Sequence, residues 1–260
     1  MSTPGHITSR DNPLLVKLRK LAQDPAGYRK YGLLWLEGDH LARALRARGG
    51  RAQHALVAEG AWAREPSLHD LAQWAERVSL LPDAIFKTLS TLESPAPIGF
   101  VVDVPPSQPL LPLAPTVVLD RLQDAGNVGS ILRSAAALGV QQVIALKGTA
   151  ALWSPKVLRA GMGAHFGLRL IEGLEPSGLS ALEVPWVATS SHAPSALPDA
   201  DLPWPCAWVL GHEGRGVDPA LMARCAVTVR IPQPGGEESL NVAAAAAVCL
   251  YESARRRAVP

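Results

Sequence analysis

Three short segments of the 260-residue chain combine polar side chains with glycines in patterns that could bind and orient a substrate. The first, NVGSILRSA, places Arg133 six residues after Asn127, among small and apolar residues that predict a helix. An arginine packed among alanines is costly unless an anion meets it. We therefore interpret Arg133 as a group that binds a phosphate or polar substrate. The structural alternative is an arginine that extends to solvent or pairs with an acidic neighbour.

The second segment, WVLGHEGRGVD, runs from an apolar strand into Gly211, Gly214 and Gly216. Such glycines permit positive φ angles and close approach of a ligand to the backbone, although a turn at a strand end needs them too. Their spacing matches neither the dinucleotide-binding fingerprint nor the P-loop. Glu213 is the carboxylate of this turn, and it could orient a polar substrate group or accept backbone N–H bonds.

The third segment, VRIPQPGGEESLNVAAAAAV, places Ser239 and Asn241 at the start of an alanine-rich helix. Serine or asparagine at a helix start is ordinary capping, and the arginines at 255–257 suit the negative end of the helix dipole. The small residues at 243–247 allow a second backbone to approach closely. They could pack on a ligand, a neighbouring helix or a second subunit.

The elements that must position these segments follow a proline-rich stretch, 103–115, which prevents a regular helix or a central strand. Strands that alternate with helices predict an α/β domain whose sheet is mainly parallel. Binding sites in such sheets lie beyond the carboxyl ends of the strands, where all three segments begin. The predicted elements are strands at 116–120, 142–146, 168–173, 186–190, 207–211 and 227–231, and helices at 128–138 and 241–257.

The amino-terminal part of the chain is basic. Residues 1–60 carry ten Lys and Arg against five Asp and Glu, which suggests contact with a polyanion, although a solvated helix face is the common cause of such runs. A basic amphipathic helix is predicted over 14–30, followed by short strands and helices. We therefore expect a small α/β domain over 1–103, a linker over 104–114 and a second domain over 115–260.

Composition excludes several classes of protein. No stretch approaches the roughly 20 apolar residues that a membrane span needs, and the amino-terminal residues lack the apolar block of a signal peptide. We expect a cytoplasmic protein without membrane contact. The three cysteines include no Cys-x-x-Cys pair, so we expect neither disulfides nor a metal site.

Taken together, in this order and spacing, the three segments resemble the signature motifs of the SpoU (TrmH) family of RNA 2′-O-ribose methyltransferases, in the SPOUT superfamily. The resemblance covers roughly residues 115–257. The amino-terminal segments ITSRDNPLLVKLRKL and LWLEGDHLARAL look like the family's substrate-binding domain, which is similar to small ribosomal proteins. The matching positions are Asn127, Gly129, Arg133, Gly211, Glu213, Gly214, Gly216, Ile231, Pro232, Ser239, Leu240, Asn241 and Val242.

The resemblance implies a fold, a methyl donor and partners. It implies S-adenosylmethionine (SAM) as cofactor, a deep trefoil knot in the carboxy-terminal domain and a homodimer formed through that domain. It implies SAM-binding positions at Thr189, Gly211, Ile231 and Leu240. The basic residues that we expect to contact RNA are Arg10, Lys17, Arg19, Lys20, Arg29 and Lys30.

The same resemblance implies roles for the polar motif residues. Because a guanidinium group keeps its proton in proteins, we interpret Arg133 as a cation that activates the ribose hydroxyl and holds the adjacent phosphate. Asn127, Ser239 and Asn241 would position the ribose, and Glu213 would accept the proton or orient another group.

The expected substrate is ribosomal RNA, with transfer RNA as the second choice. Two other functions compete with this one. A non-catalytic RNA-binding or ribosome-assembly protein of the same fold would have no need of Arg133 and Asn127, and both are present. An enzyme of the same superfamily that methylates a base nitrogen is disfavoured by the motif that these two residues form.

Overall fold

The chain folds into two structural units. The computed structural model describes residues 3–236 and 239–258. The first unit extends to Pro106 and also takes in Trp153–Phe166, and the second comprises Ser107–Leu152 and the chain from Gly167 onward. No helix in the described residues is long and apolar enough to cross a membrane.

The first unit is built on a five-stranded sheet of order β1-β4-β3-β5-β2, in which β1, β4 and β3 are parallel and β5 runs antiparallel to both its neighbours. Four of the five strands occupy short apolar runs of the sequence, whereas β1 is two exposed residues without an apolar pattern. The elements are β1 (Gly5–His6), α1 (Pro13–Gln23), α2 (Gly27–Tyr31), β2 (Leu33–Glu37), α3 (Asp39–Arg46), β3 (His54–Ala58), α4 (Glu59–Arg64), α5 (Ser67–Gln73), β4 (Arg77–Leu81), α6 (Asp83–Phe86) and β5 (Ile98–Asp103).

The predicted basic helix over 14–30 is in fact two helices, α1 and α2. Asn12 caps α1, because its side chain accepts a hydrogen bond from the backbone N–H of Leu14 at 2.9 Å. The helix ends at Gln23, and the next residue, Asp24, adopts an extended conformation because Pro25 follows it. A proline has no backbone N–H to continue the helix, and the helical pattern in the sequence conceals this break.

The second unit is built on a seven-stranded sheet of order β10-β12-β9-β11-β6-β7-β8, and every pair of neighbouring strands is parallel. The predicted mainly parallel sheet is therefore confirmed. The elements from this point of the chain are β6 (Thr116–Leu119), α7 (Ala125–Ala137), β7 (Gln142–Leu146), α8 (Pro155–Gly161), β8 (Arg169–Leu174), β9 (Trp186–Thr189), β10 (Ser195–Ala196), β11 (Ala207–Leu210), α9 (Pro219–Met222), β12 (Val227–Arg230) and α10 (Val242–Ala258).

One segment of the predicted second domain lies in the first unit. Helix α8 packs against β2 and α1, and the buried side chains of Trp153 and Leu158 lie beside Leu34 and Trp35. The predicted domain over 115–260 therefore differs from the structure in this segment. Apolar side chains show that a helix is buried, but they do not show which sheet buries it.

The three motif segments lie at one edge of the second sheet, because each of them follows the carboxyl end of a parallel strand. The first segment follows β6, the second follows β11 and the third follows β12. Helix α10, which the third segment begins, packs against α7 of the first segment. The Trp208 indole N–H donates to Ser253 Oγ at 3.0 Å and ties α10 to the buried strand β11.

The three cysteines are unreactive, packed side chains. Cys206, Cys225 and Cys249 are free thiols. Burial raises the pKa of Cys206 and Cys249 to about 12 and that of Cys225 to about 11. Protonated, largely buried thiols are poor nucleophiles, so these side chains contribute packing.

Candidate active site

Glu213 joins the second motif segment to the first. Its carboxylate accepts hydrogen bonds from the backbone N–H groups of Gln123, at 3.2 Å, and Asp124, at 3.1 Å. It also accepts a bond from Asn127 Nδ2 at 3.3 Å. The carboxylate therefore holds the loop after β6 against the loop after β11.

Asn127 joins the first motif segment to the third. Its Oδ1 accepts a hydrogen bond from Asn241 Nδ2 at 3.0 Å. Asn241 Oδ1 in turn accepts bonds from the backbone N–H groups of Ala243 and Ala244, so Asn241 caps α10. A continuous chain of polar side chains, Glu213–Asn127–Asn241, therefore links Asn127 to two residues that lie 86 and 114 positions further along the sequence.

Asn127 does not cap helix α7, although an asparagine directly before the predicted helix at 128–138 suits that role. Helix α7 begins at Ala125, and the capping residue is Asp124, whose side chain accepts from the Asn127 backbone N–H at 2.8 Å. Asn127 therefore lies in the first turn of the helix. Its side chain is available to bind Glu213 and Asn241.

The surroundings of Glu213 favour an orienting role over a proton-accepting one. Burial alone would raise the pKa of this carboxyl, but hydrogen bonds from its own backbone N–H, from those of Asp124 and Gln123 and from the Asn127 side chain outweigh burial. The pKa therefore lies below its usual value. A weakly basic carboxylate with engaged oxygens is suited to holding loops in place.

We expect Glu213→Gln to lower kcat about tenfold, because the amide cannot accept the same set of charge-assisted bonds. The shape of the pH–rate profile between pH 6 and 9 should not change. A measurement of kcat across that range checks this, with the exposed neighbour Arg215→Ala as control. Loss of a limb of the profile in Glu213→Gln would instead identify Glu213 as the proton acceptor. Since folding lowers its pKa, the stabilisation by Glu213 is present at neutral pH and should be lost as the pH falls through this lowered pKa.

The turn after β11 depends on glycine. A Cβ atom added to Gly211 would lie 2.0 Å from the backbone nitrogen of Val217 and 2.1 Å from the carbonyl carbon of Gly216. Gly216 itself has a φ of +70°. His212 Nδ1 accepts the backbone N–H of Gly214 at 3.0 Å, so this histidine stabilises the turn.

Three of the four predicted SAM-binding positions line one cavity. Thr189 is the last residue of β9, Ile231 comes directly after β12, and Leu240 precedes α10. The cavity has a volume of about 170 Å³. Gly211, the fourth predicted position, does not line it. Its other lining residues are Ser190, Ser191, Gln233, Ser239 and Ala245.

Arg133 lies on the outer face of α7. Ile131, Leu132 and Ala135 are buried, whereas Arg133 and Ser130 are exposed. The guanidinium has no hydrogen bond or ion pair with any residue that the structure describes. The prediction that this arginine packs among apolar residues is therefore wrong, because the helical period turns position 133 away from the sheet. The exposed side chain agrees with the structural alternative of an arginine that extends to solvent, where its cation is accessible to a ligand or another chain.

A second cluster of charged residues, for which the sequence gives little signal, connects the same two loops. Asp120, 2% exposed, accepts bonds from Arg121 Nε at 2.7 Å and from the backbone N–H of Asp218 at 2.8 Å. The Arg121 guanidinium also lies 3.6 Å from the Asp218 carboxylate. The one sequence feature that points to this cluster is an aspartate at the end of an apolar strand followed by an arginine.

The predicted RNA-binding residues all lie in the first unit, with different surroundings. Arg19 is engaged inside the unit, because it donates to the Arg10 carbonyl at 2.7 Å and to Thr88. The ammonium groups of Lys17 and Lys30 lie 5.9 and 5.6 Å from the centre of the Tyr31 ring. Arg29 packs on Tyr28, while Arg10 and Lys20 are exposed.

Comparison with known proteins identifies the family to which the chain belongs. Residues 114–251 match the model of the SpoU rRNA methylase family. The chain belongs to the SpoU methylase family. The resemblance inferred from the three motifs is therefore confirmed, and so is the enzyme class, a SAM-dependent RNA methyltransferase.

Relatives of the SpoU methylase family match the chain over most of its length. It is 32% identical to RlmP of Bacillus subtilis, a 23S rRNA guanosine 2′-O-methyltransferase, over 83% of this chain and 86% of RlmP. A crystal structure of an RNA 2′-O-ribose methyltransferase is similar with a TM-score of 0.81 and 31% identity, covering 97% of this chain and 99% of that one. An AdoMet-bound rRNA methyltransferase from Sinorhizobium meliloti has a TM-score of 0.82 and 25% identity, with 98% of each chain covered.

The chemistry of the cavity lining suits the SAM cofactor of the SpoU methylase family. Its wall offers apolar groups from Ile231, Leu240 and Ala245 and polar groups from Thr189 and several serines. Gln233 Oε1 is buried and accepts no hydrogen bond within the described ranges. A ligand with apolar surfaces and N–H or O–H groups satisfies such a wall.

Proposed function

We propose that this SpoU methylase transfers a methyl group from SAM to the 2′-hydroxyl of a ribosomal RNA nucleotide. The observation that carries this proposal is the convergence of three motif segments on the Glu213–Asn127–Asn241 chain. Relatives such as RlmP are named for 2′-O-methylation of 23S rRNA, which favours ribosomal RNA over transfer RNA. A ribosomal RNA substrate would place the protein in the cytoplasm, as the sequence predicts.

The reaction needs an aligned ribose, a cation beside it and loss of the hydroxyl proton. SAM supplies an electrophilic methyl group on a sulfonium. Asn127 and Asn241 hold each other and present polar groups that can position the ribose. Ser239, on the cavity wall, can contribute to the same task. Arg133 supplies the cation that binds the adjacent phosphate and stabilises the ribose oxygen while the hydroxyl proton passes to solvent water.

We assign RNA binding to the basic surface of the first unit, which corresponds to the predicted domain over 1–103. Lys17 and Lys30 flank the Tyr31 ring, an arrangement of cations around an aromatic face that suits phosphates and an unpaired base. Arg10, Lys20 and Arg29 add exposed positive charge. Arg19 supports this surface, because its guanidinium is bound to neighbouring groups. We also propose that this unit is a substrate-binding domain similar to small ribosomal proteins.

The proposal includes the knot and the homodimer of the family. For the knot, β9 lies in the sheet between β11 and β12, and the last helix, α10, packs on α7. For the dimer, α10 exposes an apolar stripe that includes Val248, 42% exposed, and Tyr251, 59% exposed. These residues are one helical turn apart, and they form a face that a second copy of the chain can cover.

We expect Val248→Asp to convert the dimer to a monomer, because a carboxylate in an apolar interface loses its hydration. Sedimentation equilibrium of the wild-type protein and the variant measures this. Val16→Asp is the matched control, because Val16 is an exposed valine of α1 in the first unit, and it should leave the dimer intact. A monomeric wild-type protein, or a dimeric Val248→Asp, would contradict the assignment.

Methyl transfer from labelled SAM to RNA fractions tests the proposed function. The RNA comes from a strain that lacks this gene, so its target nucleotide is unmodified. We expect label in ribosomal RNA, and none when Asn127→Ala replaces the wild-type protein. Label in transfer RNA alone would establish the alternative substrate. Binding of the cofactor product without label in RNA or in assembling ribosomal particles would favour the non-catalytic function.

A further inference from the structure

The wall of the SAM cavity contains one buried polar atom that lacks a partner. Gln233 Oε1 is shielded from solvent, and among the described residues no donor reaches it. Most buried polar atoms in proteins have a partner, and an unsatisfied one costs stability unless a ligand or water completes it. Ser190 Oγ, on the same wall, does have a partner, since it accepts the backbone N–H of His192 at 3.3 Å.

The chemistry of the surrounding wall identifies the part of SAM that fits there. Ile231, Leu240 and Ala245 supply the apolar lining beside Gln233. Of the three parts of SAM, only the adenine ring combines flat apolar faces with an N–H donor at its edge. The ribose carries two hydroxyl groups and the amino-acid group ends in two charges, so an apolar wall is a poorer match for them.

We propose that Gln233 determines recognition of the cofactor base, with its side-chain carbonyl oxygen accepting a hydrogen bond from the 6-amino group of adenine. This inference rests on the proposed function, because it takes the cavity as the cofactor site. Gln233 follows Ile231 by two residues in the chain after β12, so the apolar contact and the acceptor come from one strand end. A site built in this way rejects bases that lack the amino group, because the buried acceptor would stay unpaired.

Calorimetric titration with two cofactor products tests the proposal without a methylation assay. One ligand is S-adenosylhomocysteine, and the other is its analogue in which hydrogen replaces the 6-amino group. We expect the wild-type protein to bind the amino ligand about tenfold more tightly. Gln233→Met, which removes the acceptor but keeps the side-chain length, should bind both ligands with equal affinity.

Two further variants test whether the side-chain oxygen of Gln233 is the group that reads the base. Gln233→Glu keeps an acceptor and has no donor, so it should still bind the ligand with the 6-amino group more tightly. Loss of that preference would show that the amide nitrogen faces the ligand and would overturn the proposal. Gln141→Met makes the same change at an exposed glutamine that does not line the cavity, so it should keep the wild-type ratio. Equal binding of both ligands by the wild-type protein, or a preference that persists in Gln233→Met, would also overturn the proposal. Failure of the wild-type protein to bind S-adenosylhomocysteine would instead contradict the proposed function itself.

Discussion

Replacement of Arg133 by alanine should lower kcat for methyl transfer by about 10²–10³-fold, the loss typical of removing one group that stabilises developing charge. The protein should remain folded, because the Arg133 side chain is exposed and makes no bond with the described residues. Cofactor binding should also persist, since Arg133 does not line the cavity. Single-turnover methylation, together with calorimetry of S-adenosylhomocysteine, measures the two effects separately.

A lysine at the same position separates two roles for the arginine. If Arg133 acts as a planar, bidentate cation, Arg133→Lys should lose nearly as much activity as Arg133→Ala at every pH. Retention of much of the rate, with a pH profile displaced toward that of an amine, would instead indicate proton abstraction. Ser130→Ala, one turn away on the same exposed face of α7, is the matched control and should stay within a factor of about two of wild type.

Replacement of Gly211 by alanine should disrupt the second motif loop. The added Cβ would lie 2.0 Å from a backbone nitrogen, so backbone rather than a flexible side chain must move. We expect the free energy of unfolding to fall by about 1–3 kcal/mol. Methyl transfer should fall at least tenfold, because Glu213 lies two residues away and its bonds to Gln123 and Asp124 depend on the loop. Urea unfolding and steady-state kinetics measure these changes.

The same loop contains the control for this substitution. A Cβ at Gly214 would meet nothing closer than the His212 ring at 3.9 Å, an ordinary contact distance. Gly214→Ala should therefore have little effect on stability. If Gly211→Ala were as stable and active as Gly214→Ala, the close packing of the turn would have no functional role.

Much of the fold of the second unit follows from its sequence pattern. Short β-branched and aliphatic runs alternate with helical segments, and this pattern predicts a parallel sheet with its site at the carboxyl ends of the strands. The strand at Ser195–Ala196 is not predictable in this way, because two residues carry no periodic signal. The place of Trp153–Phe166 in the first unit is not predictable either, since long-range packing decides it.

The candidate site is predictable in its residue types but not in its connections. Asn127, Glu213 and Asn241 stand out as polar residues beside glycines or at helix starts. Their mutual hydrogen bonds depend on the order of strands in the sheet, which local sequence does not determine. Gln233 does not stand out, because a glutamine in a proline-rich loop is ordinary and only the burial of its side-chain oxygen makes it notable.

The position of the transferred methyl group decides between ribose and base methylation. After reaction with labelled SAM, the ribosomal RNA is hydrolysed in alkali and the products are separated by mass. A methyl on the 2′-oxygen blocks attack on the neighbouring phosphodiester, so we expect label in an alkali-resistant dinucleotide. Label recovered in a mononucleotide with a methylated base would contradict ribose methylation and would make this chain a base methyltransferase.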